Sequence, residues 1–265
     1  MNIVQPSHLI MGSFPNDDNC LQWLERIGRK CYKSEEKITA ESAPRFVRGL
    51  LKLDRFNVLR REIKSIIDGH VKDLVISSGM REPPTLTSEM VSDLIVEAMH
   101  GVLDDPPHES VIEHSILTVC FIFDRGISHE IVRHRLAAFT QESTRYCNYG
   151  KTGDINVIEP MAFPESNDDH GQRVLWANAM AFAERIYMDL LEAGATPQNA
   201  RSVLPTGLKT EVVVSANFRE WRHIFRMRAS AKAHPQMREV MIPLLQEVQA
   251  MPNLGLIFSD IRVPT

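Results

Sequence analysis

The sequence predicts a mixed α/β (α+β) protein in which helices flank a sheet, and not a Rossmann fold. Three observations carry this. Apolar residues recur at helical spacing in several segments, as at Leu21, Leu24, Ile27 and Cys31. Short strand-length runs lie between them, and Ile116–Phe123 is apolar on both faces, as a buried central strand is. No Gly-x-Gly-x-x-Gly and no phosphate-loop motif occurs.

A chain of 265 residues, 43% hydrophobic and 24% charged, is ordinary for a globular protein and long enough for one sizeable core. Its formal net charge of −4 argues against a general nucleic-acid binder, which is usually basic. Local basic patches on a mildly acidic chain suit a small anionic ligand better. The first residues show no basic and apolar leader pattern, and no apolar run approaches the roughly 20 residues of a membrane span. Cys20, Cys31, Cys120 and Cys147 form no Cys-x-x-Cys pair and read as reduced thiols of a cytoplasmic protein.

In chain order, His8 to Phe14 reads as a first strand ended by Pro15, and a helix follows over Leu21–Cys31 with Trp23 beside its stripe. Ser42 to Gly69 reads as helical, with Phe46, Leu50 and Leu53 apolar, and Val71–Ser77 as a short strand. Arg81-Glu82-Pro83-Pro84 is a connector. Thr87 caps the next helix, whose apolar face is Met90, Val91, Leu94, Ile95, Ala98 and Met99, with Gly101 at its C-terminal end. His108-Glu109-Ser110-Val111-Ile112-Glu113-His114 holds two histidines six apart, whereas helical zinc sites need four, so no metal site is predicted.

After the central strand, Asp124-Arg125-Gly126 turns the chain into a helix capped by Ser128, which carries Ile131, Val132 and Leu136 and ends near Phe139. Successive helical residues turn about 100°, so Arg133 and Arg135 are expected to point to opposite sides. Either one is structural or the helix lies at a seam with ligand or partner on both sides. Beyond the helix, in an extended chain, Ser143 and Arg145 share a face and can meet one anion. Tyr146–Tyr149 and Ile155–Ile158 read as strands, and Cys147 as a packed thiol. Asp168–Ala193 is a long helix with Leu175, Ala179, Phe182, Ile186 and Leu190 inward, ended by Gly194. Thr196-Pro197 restarts a helix. Glu211–Val214 is a strand, and Asn217 with Glu220 opens a further helix through a capping box. Arg219, Arg222 and Arg226 form a solvated or subunit-facing stripe, with Arg228 off it. His234–Glu239 opens the last helix, which Pro243 kinks or interrupts.

The Arg133-His134-Arg135 triplet, seven residues and then Ser143-Thr144-Arg145 resemble, without a gap, the signature of the flavin-dependent thymidylate synthases. Other segments resemble that family in matching order from Cys31-Tyr32 to about Glu239, among them His108-Glu109-Ser110, Ala200-Arg201-Ser202-Val203-Leu204-Pro205 and His234-Pro235-Gln236. The resemblance implies a largely antiparallel, twisted sheet with flanking helices in a single domain, with an accessory helical insertion at 42–84. It implies methylation of dUMP at C5, with methylenetetrahydrofolate as carbon donor and with FAD, reloaded by NADPH, as hydride source. Cofactor contacts are implied at His108, Ser110, Arg133, His134, Arg135, Gln141, Asn217, Phe218, Arg219 and His223. Substrate contacts are implied at Glu130, Ile131, Val132, Arg133, Gln141, Glu142, Ser143, Thr144, Arg145, Arg201 and Arg228. Arg228 would be the catalytic group, facing the uracil ring. A homotetramer with sites at subunit junctions is implied as well.

Three residues depart from the family pattern: Ala138 where many members have Ser, Glu130 where many have Gln, and His223 where Asn is common. Two other readings stand beside the first. One is a related flavoenzyme acting on another pyrimidine nucleotide. The other is a non-enzymatic nucleotide- or RNA-binding protein, whose binding would depend strongly on salt.

Overall fold

The computed structural model describes residues 1–78, 86–87, 90–91, 94–95, 107–151, 153–161 and 171–264. The expected connector at Arg81–Pro84, Gly101 and the Asp168 helix start lie outside them. The chain divides into two compact units, one of Met1–Trp23 with Ile112–Thr265, the other of Leu24–Val111. In chain order the elements are β1 (Asn2–Ile3), β2 (Ser7–Phe14), α1 (Cys20–Tyr32), α2 (Ser42–Leu50), α3 (Arg55–Ser78), β3 (Ile116–Asp124) and α4 (Arg125–Ile131). Then come β4 (Ala137–Gln141), β5 (Asn156–Val157), α5 (Gln172–Glu192), α6 (Pro197–Ala200), β6 (Lys209–Asn217), α7 (Phe218–Arg228), α8 (Pro235–Ala250) and α9 (Leu254–Phe258).

The larger unit is built on an antiparallel sheet of order β2-β3-β6-β4. The register sets Leu117 opposite Ala216, Val119 opposite Val214 and Phe121 opposite Val212. Because side chains alternate along a strand, these six share one face, and all are buried. Trp221 of α7 stands over this face and donates its indole N–H to the Leu117 carbonyl at 2.8 Å. On the opposite face the Thr118 and Ser215 hydroxyls bond at 2.8 Å, Cys120, Ile122 and Val213 are half-buried, and Ile116 is exposed. Among the described residues, the strand that looked apolar on both sides is therefore fully buried on one side only.

The long helix α5 turns a different face inward from the expected one. Tyr187 is its buried residue, and Trp176, Met180 and Met188 pack on Ile155, Val157 and Leu208. Leu175 and Phe182 are each 56% exposed. The helix is apolar around much of its circumference, so periodicity does not choose the inward face. A polar anchor does: the Glu184 carboxylate accepts from the Ile155 backbone N–H at 2.9 Å and pairs with the chain's amino terminus at 2.7 Å. At Pro243 the expected interruption is absent, and α8 runs through it. The buried Met241, Leu244, Leu245 and Val248 hold the turn against the core.

In the smaller unit, α2 and α3 replace the continuous helix expected from Ser42, with a break at Leu51–Asp54 where Lys52 adopts φ 52°. Val71–Ser77 is the end of α3 rather than a strand. Gly69 between them costs the helix only about 1 kcal/mol, and elongation past it adds a hydrogen bond per residue at little further cost. Thr87 caps as expected, accepting from the Met90 N–H at 3.3 Å. Among the described residues, no helix is long and apolar enough to cross a membrane.

Arg222, placed by its spacing on a solvated stripe, is only 1% exposed. Its two terminal nitrogens donate to the Asp260 carboxylate at 2.7 Å each, and it also bonds the Ile257 carbonyl. Burial acts to raise the Asp260 carboxyl's pKa, but the Arg222 bonds and charge, with Arg226 beside them, outweigh it and hold the group below its ordinary 3.8. A depressed carboxyl contributes stability above its unfolded value that is lost as pH falls through the folded one. Asp260→Ala, which strands a buried guanidinium, is expected to cost about 3 kcal/mol by urea unfolding at pH 7. Its stability should also fall less than the wild type's below about pH 4, because the titrating group is gone.

Candidate functional site

The signature segment is built differently from its sequence reading. Asp124, not Ser128, caps α4, accepting from the Ile127 N–H at 2.8 Å. Ser128 is buried inside the helix, donating to the Arg125 carbonyl at 2.7 Å. The helix ends at Ile131, not near Phe139, because Ala137–Gln141 pairs with β6 as an outer strand and the polar turn before it reverses the chain. Within that turn His134 N–H bonds the Ile131 carbonyl and Ala137 N–H the His134 carbonyl, each at 3.2 Å. Arg133 and Arg135 therefore sit in a turn, and the helical-angle argument does not apply to them.

This turn meets the end of α7 around Arg228. The Arg228 guanidinium donates to a Glu130 carboxylate oxygen at 2.6 Å and to the Glu130 carbonyl at 2.9 Å. Its Nε–H donates to Nε2 of His134 at 3.1 Å. An arginine only donates, so Nε2 accepts and the His134 proton sits on Nδ1, where Glu220 takes it at 3.1 Å. His134 and Glu220 are 4% and 7% exposed. Burial, and next the Arg228 charge, lower the His134 pKa below its ordinary 6.5, against the pull of Glu220. The ring is thus neutral at pH 7. His223 lies edge-on to His134 with ring centres 5.4 Å apart. A cavity of about 370 Å³ opens here, lined by Arg133, His134, Arg135, Leu136, Glu220, His223, Met227 and Arg228. Ligand atoms of His134, Glu220 and His223 lie within 4.8 Å of one another. Both His134 nitrogens are engaged, however, by Glu220 and Arg228, so the ring has no lone pair left for a cation.

A second group forms where β4 ends. The Gln141 amide donates to the Ser128 hydroxyl at 2.9 Å and to Thr210 at 3.2 Å. The Glu142 carboxylate accepts from the Tyr149 hydroxyl at 3.0 Å and from Lys209 at 3.1 Å. Burial, then the Glu142 charge, push the Tyr149 pKa up. Ser143 to Cys147 is a turn, closed by Cys147 N–H to the Ser143 carbonyl at 2.9 Å and followed by a 3-10 turn at Tyr149–Lys151. Neither the extended Ser143–Arg145 pairing nor a strand at Tyr146–Tyr149 forms. Ser143 explains this, since its hydroxyl accepts from the Arg145 N–H at 3.3 Å and so favours a turn over a strand. The turn nonetheless collects the expected donors. Arg145 reaches Gln198 of α6 at 2.6 Å, and Arg201 reaches Thr144 at 3.5 Å.

Other expected residues are placed elsewhere. Ile131 and Phe218 are fully buried, Phe218 against Phe258. Val132 is half-buried. The Asn217 side chain accepts the Glu220 N–H at 2.8 Å as a helix cap. Arg219 forms an ion pair with Glu113 at 2.5 Å. His108 and Ser110 are exposed at the end of the smaller unit. Sequence reasoning missed Glu220 as a partner of His134, although the capping-box spacing had singled it out. It also missed Lys209, Tyr149 and Gln198, for which no local signal exists.

An antiparallel sheet with flanking helices, carrying a cavity lined by Arg133, Arg135 and Arg228 beside the buried His134, defines a mixed α/β protein. The family described as thymidylate synthase complementing protein (Thy1) matches residues 69–252, and the chain belongs to it. The flavin-dependent thymidylate synthase of Pyrococcus abyssi is 35% identical over 149 residues, 56% of this chain and 60% of that protein. The enzyme of Corynebacterium glutamicum is 35% identical over 178 residues, 60% of this chain and 66% of that one. The chain thus spans about three-fifths of the length of the curated relatives it matches. Among solved structures, the UMP/dUMP methylase PolB of Streptomyces cacaoi bound with 5-Br dUMP shares the fold with TM-score 0.62, 19% identity and all of both chains covered. ThyX of Helicobacter pylori complexed with FAD and dUMP does so with TM-score 0.59 and 16% identity, covering 96% of this chain and 99% of that one.

A histidine held below its ordinary pKa stabilises the fold fully above 6.5, and that contribution is lost as pH falls from there through the lowered value. Calorimetric Tm is therefore expected to drop between pH 7 and 5, and to drop less in His134→Asn. Glu220→Ala, which leaves the buried Nδ1–H without its acceptor, should cost about 1–3 kcal/mol in urea unfolding.

Proposed function

We propose that this protein is a flavin-dependent thymidylate synthase that reductively methylates dUMP at C5 to dTMP, with methylenetetrahydrofolate as carbon donor and NADPH as reductant. The observation that carries the reading is the Arg228 guanidinium, set on a cavity wall with its plane fixed by His134 and Glu130. A positive charge beside O2 or N3 of uracil favours the ionised ring and makes C5 nucleophilic without a protein nucleophile. Ser143, Thr144, Arg145 and Arg201 gather at one turn and supply donors for the nucleotide phosphate. Gln141, locked by Ser128 and Thr210, presents a fixed amide. Arg133, Arg135 and His223 ring the same cavity as Arg228, and their charge and aromatic faces suit the phosphates and rings of FAD. Bound FAD, once reduced, supplies the hydride.

A homotetramer with sites at subunit junctions belongs to this reading. The 370 Å³ cavity is at the small end of ligand pockets, so a dinucleotide and a nucleotide together need walls from more than one chain. The half-buried sheet face bearing Cys120, Ile122 and Val213 offers a surface for such contact. A cytoplasmic setting and the insertion at 42–84 are parts of the same proposal.

The test is anaerobic bleaching of flavin absorbance by NADPH in protein supplied with FAD, with and without dUMP. Bleaching whose rate dUMP changes supports one coupled site. Flavin binding indifferent to dUMP but responsive to UMP favours the other pyrimidine reading, and no flavin binding removes the enzyme reading. Arg228→Ala is expected to lower turnover by about 10²-fold or more while FAD stays bound. Ser143→Ala should weaken dUMP binding about tenfold by calorimetry, the loss of one bond to a charged group.

A further inference from the structure

We propose that Glu130 is a specificity-determining counter-ion: it holds the Arg228 fork before nucleotide arrives, so that binding exchanges one anion for another and favours pyrimidines with an acidic ring N–H. The inference rests on the reading above, in which Arg228 faces the pyrimidine.

The geometry points to Glu130 on three counts. Its side-chain and backbone oxygens take both terminal nitrogens of Arg228, at 2.6 and 2.9 Å, while His134 takes Nε. Each guanidinium nitrogen thus has a partner without ligand, and a carboxylate opposes its charge at contact distance. The two partners differ in freedom. Arg228 is 15% exposed at its side chain and held by a His134 that Glu220 in turn holds, whereas Glu130 is 35% exposed. Glu130 can therefore swing its carboxylate into water while Arg228 stays in place. The Glu130 carbonyl belongs to the backbone of α4 and remains on Arg228 throughout, so the exchange concerns the carboxylate alone. A neutral uracil edge gains little by displacing a carboxylate from a guanidinium. A ring deprotonated at N3 replaces like with like, because a charge-assisted bond is regained for the one lost. Glu130 acts through Arg228 and is a positioning residue, not a catalytic one.

Glu130→Gln keeps the shape and removes the charge. Two measurements on the FAD-loaded full-length protein test the idea. The first is the rate at which phenylglyoxal, a dicarbonyl that attacks accessible guanidinium groups, modifies Arg228, read by peptide mass spectrometry without nucleotide. It is expected to rise about tenfold in Glu130→Gln, with the modification of Arg185 as internal reference unchanged. The second is the dissociation constant of dUMP against that of 5-fluoro-dUMP, whose electronegative substituent makes N3–H more acidic. The wild type should favour 5-fluoro-dUMP, and Glu130→Gln should bind dUMP about tenfold more tightly and lose most of that preference. An unchanged Arg228 modification rate overturns the counter-ion role, whether or not dUMP binds. Weaker dUMP binding in Glu130→Gln with the preference intact also overturns it, making Glu130 a direct partner of the substrate. A faster Arg228 reaction in a protein that binds neither nucleotide sustains the counter-ion role and instead removes dUMP as the substrate.

Discussion

The register of β6 between β3 and β4 is the constraint on which the rest depends. β3 leaves the sheet at Asp124, opposite Lys209, and β4 re-enters it at Ala137, opposite Ala216. The chain between them must therefore travel the length of the sheet, and α4 with its polar turn carries it. That brings His134 to α7, where Glu220 accepts its Nδ1–H and Arg228 donates to its Nε2. A slip of one residue would turn every side chain to the other face, burying Thr118 and Ser215 and exposing Leu117 and Val214. The core thus enforces the register, and the register assembles the site.

Once assembled, the site is a chain of complementary partners: the Glu220 carboxylate, the neutral His134 ring, the Arg228 cation and the Glu130 carboxylate. Each fixes the next. Glu220 selects the tautomer, the tautomer leaves a lone pair for Arg228 Nε, and that bond fixes the guanidinium plane. Unpaired buried charges are costly, so the charges alternate. The same rule explains Arg222 on the adjacent turn of α7. It points into the core and meets Asp260, making an ion pair that orients α9 rather than a ligand site. Two arginines on one helix thus do different work because one faces a sealed core and the other a cavity.

Much of this was legible in the chain. The strands β2, β3 and β6, the helix starts at Asn217 and Pro197, and the Arg133–Arg145 spacing all depend on local rules: alternation, capping and short-range geometry. Readings failed where local signals were even or were outweighed. Val71–Ser77 has β-branched residues and follows Gly69, but the helix elongates through both. α5 offers two apolar faces, and the distant Met1 and Ile155 decide between them through Glu184. The 136–139 stretch satisfies helical periodicity, but an open edge of β6 offers it a strand.

By itself the sequence determined the mixed helix-and-sheet class and singled out Glu130, His134 and Arg228 as candidates, because those follow from side-chain chemistry and near-neighbour spacing. Only the tertiary structure decided which arginine is structural and which faces the cavity, that His134 is neutral, and that Glu130 rather than solvent holds Arg228. The first depends on Asp260, 38 residues from Arg222, and the other two on partners 86 to 98 residues apart, and hydrogen bonds at such separations exist only once the fold has brought the segments together.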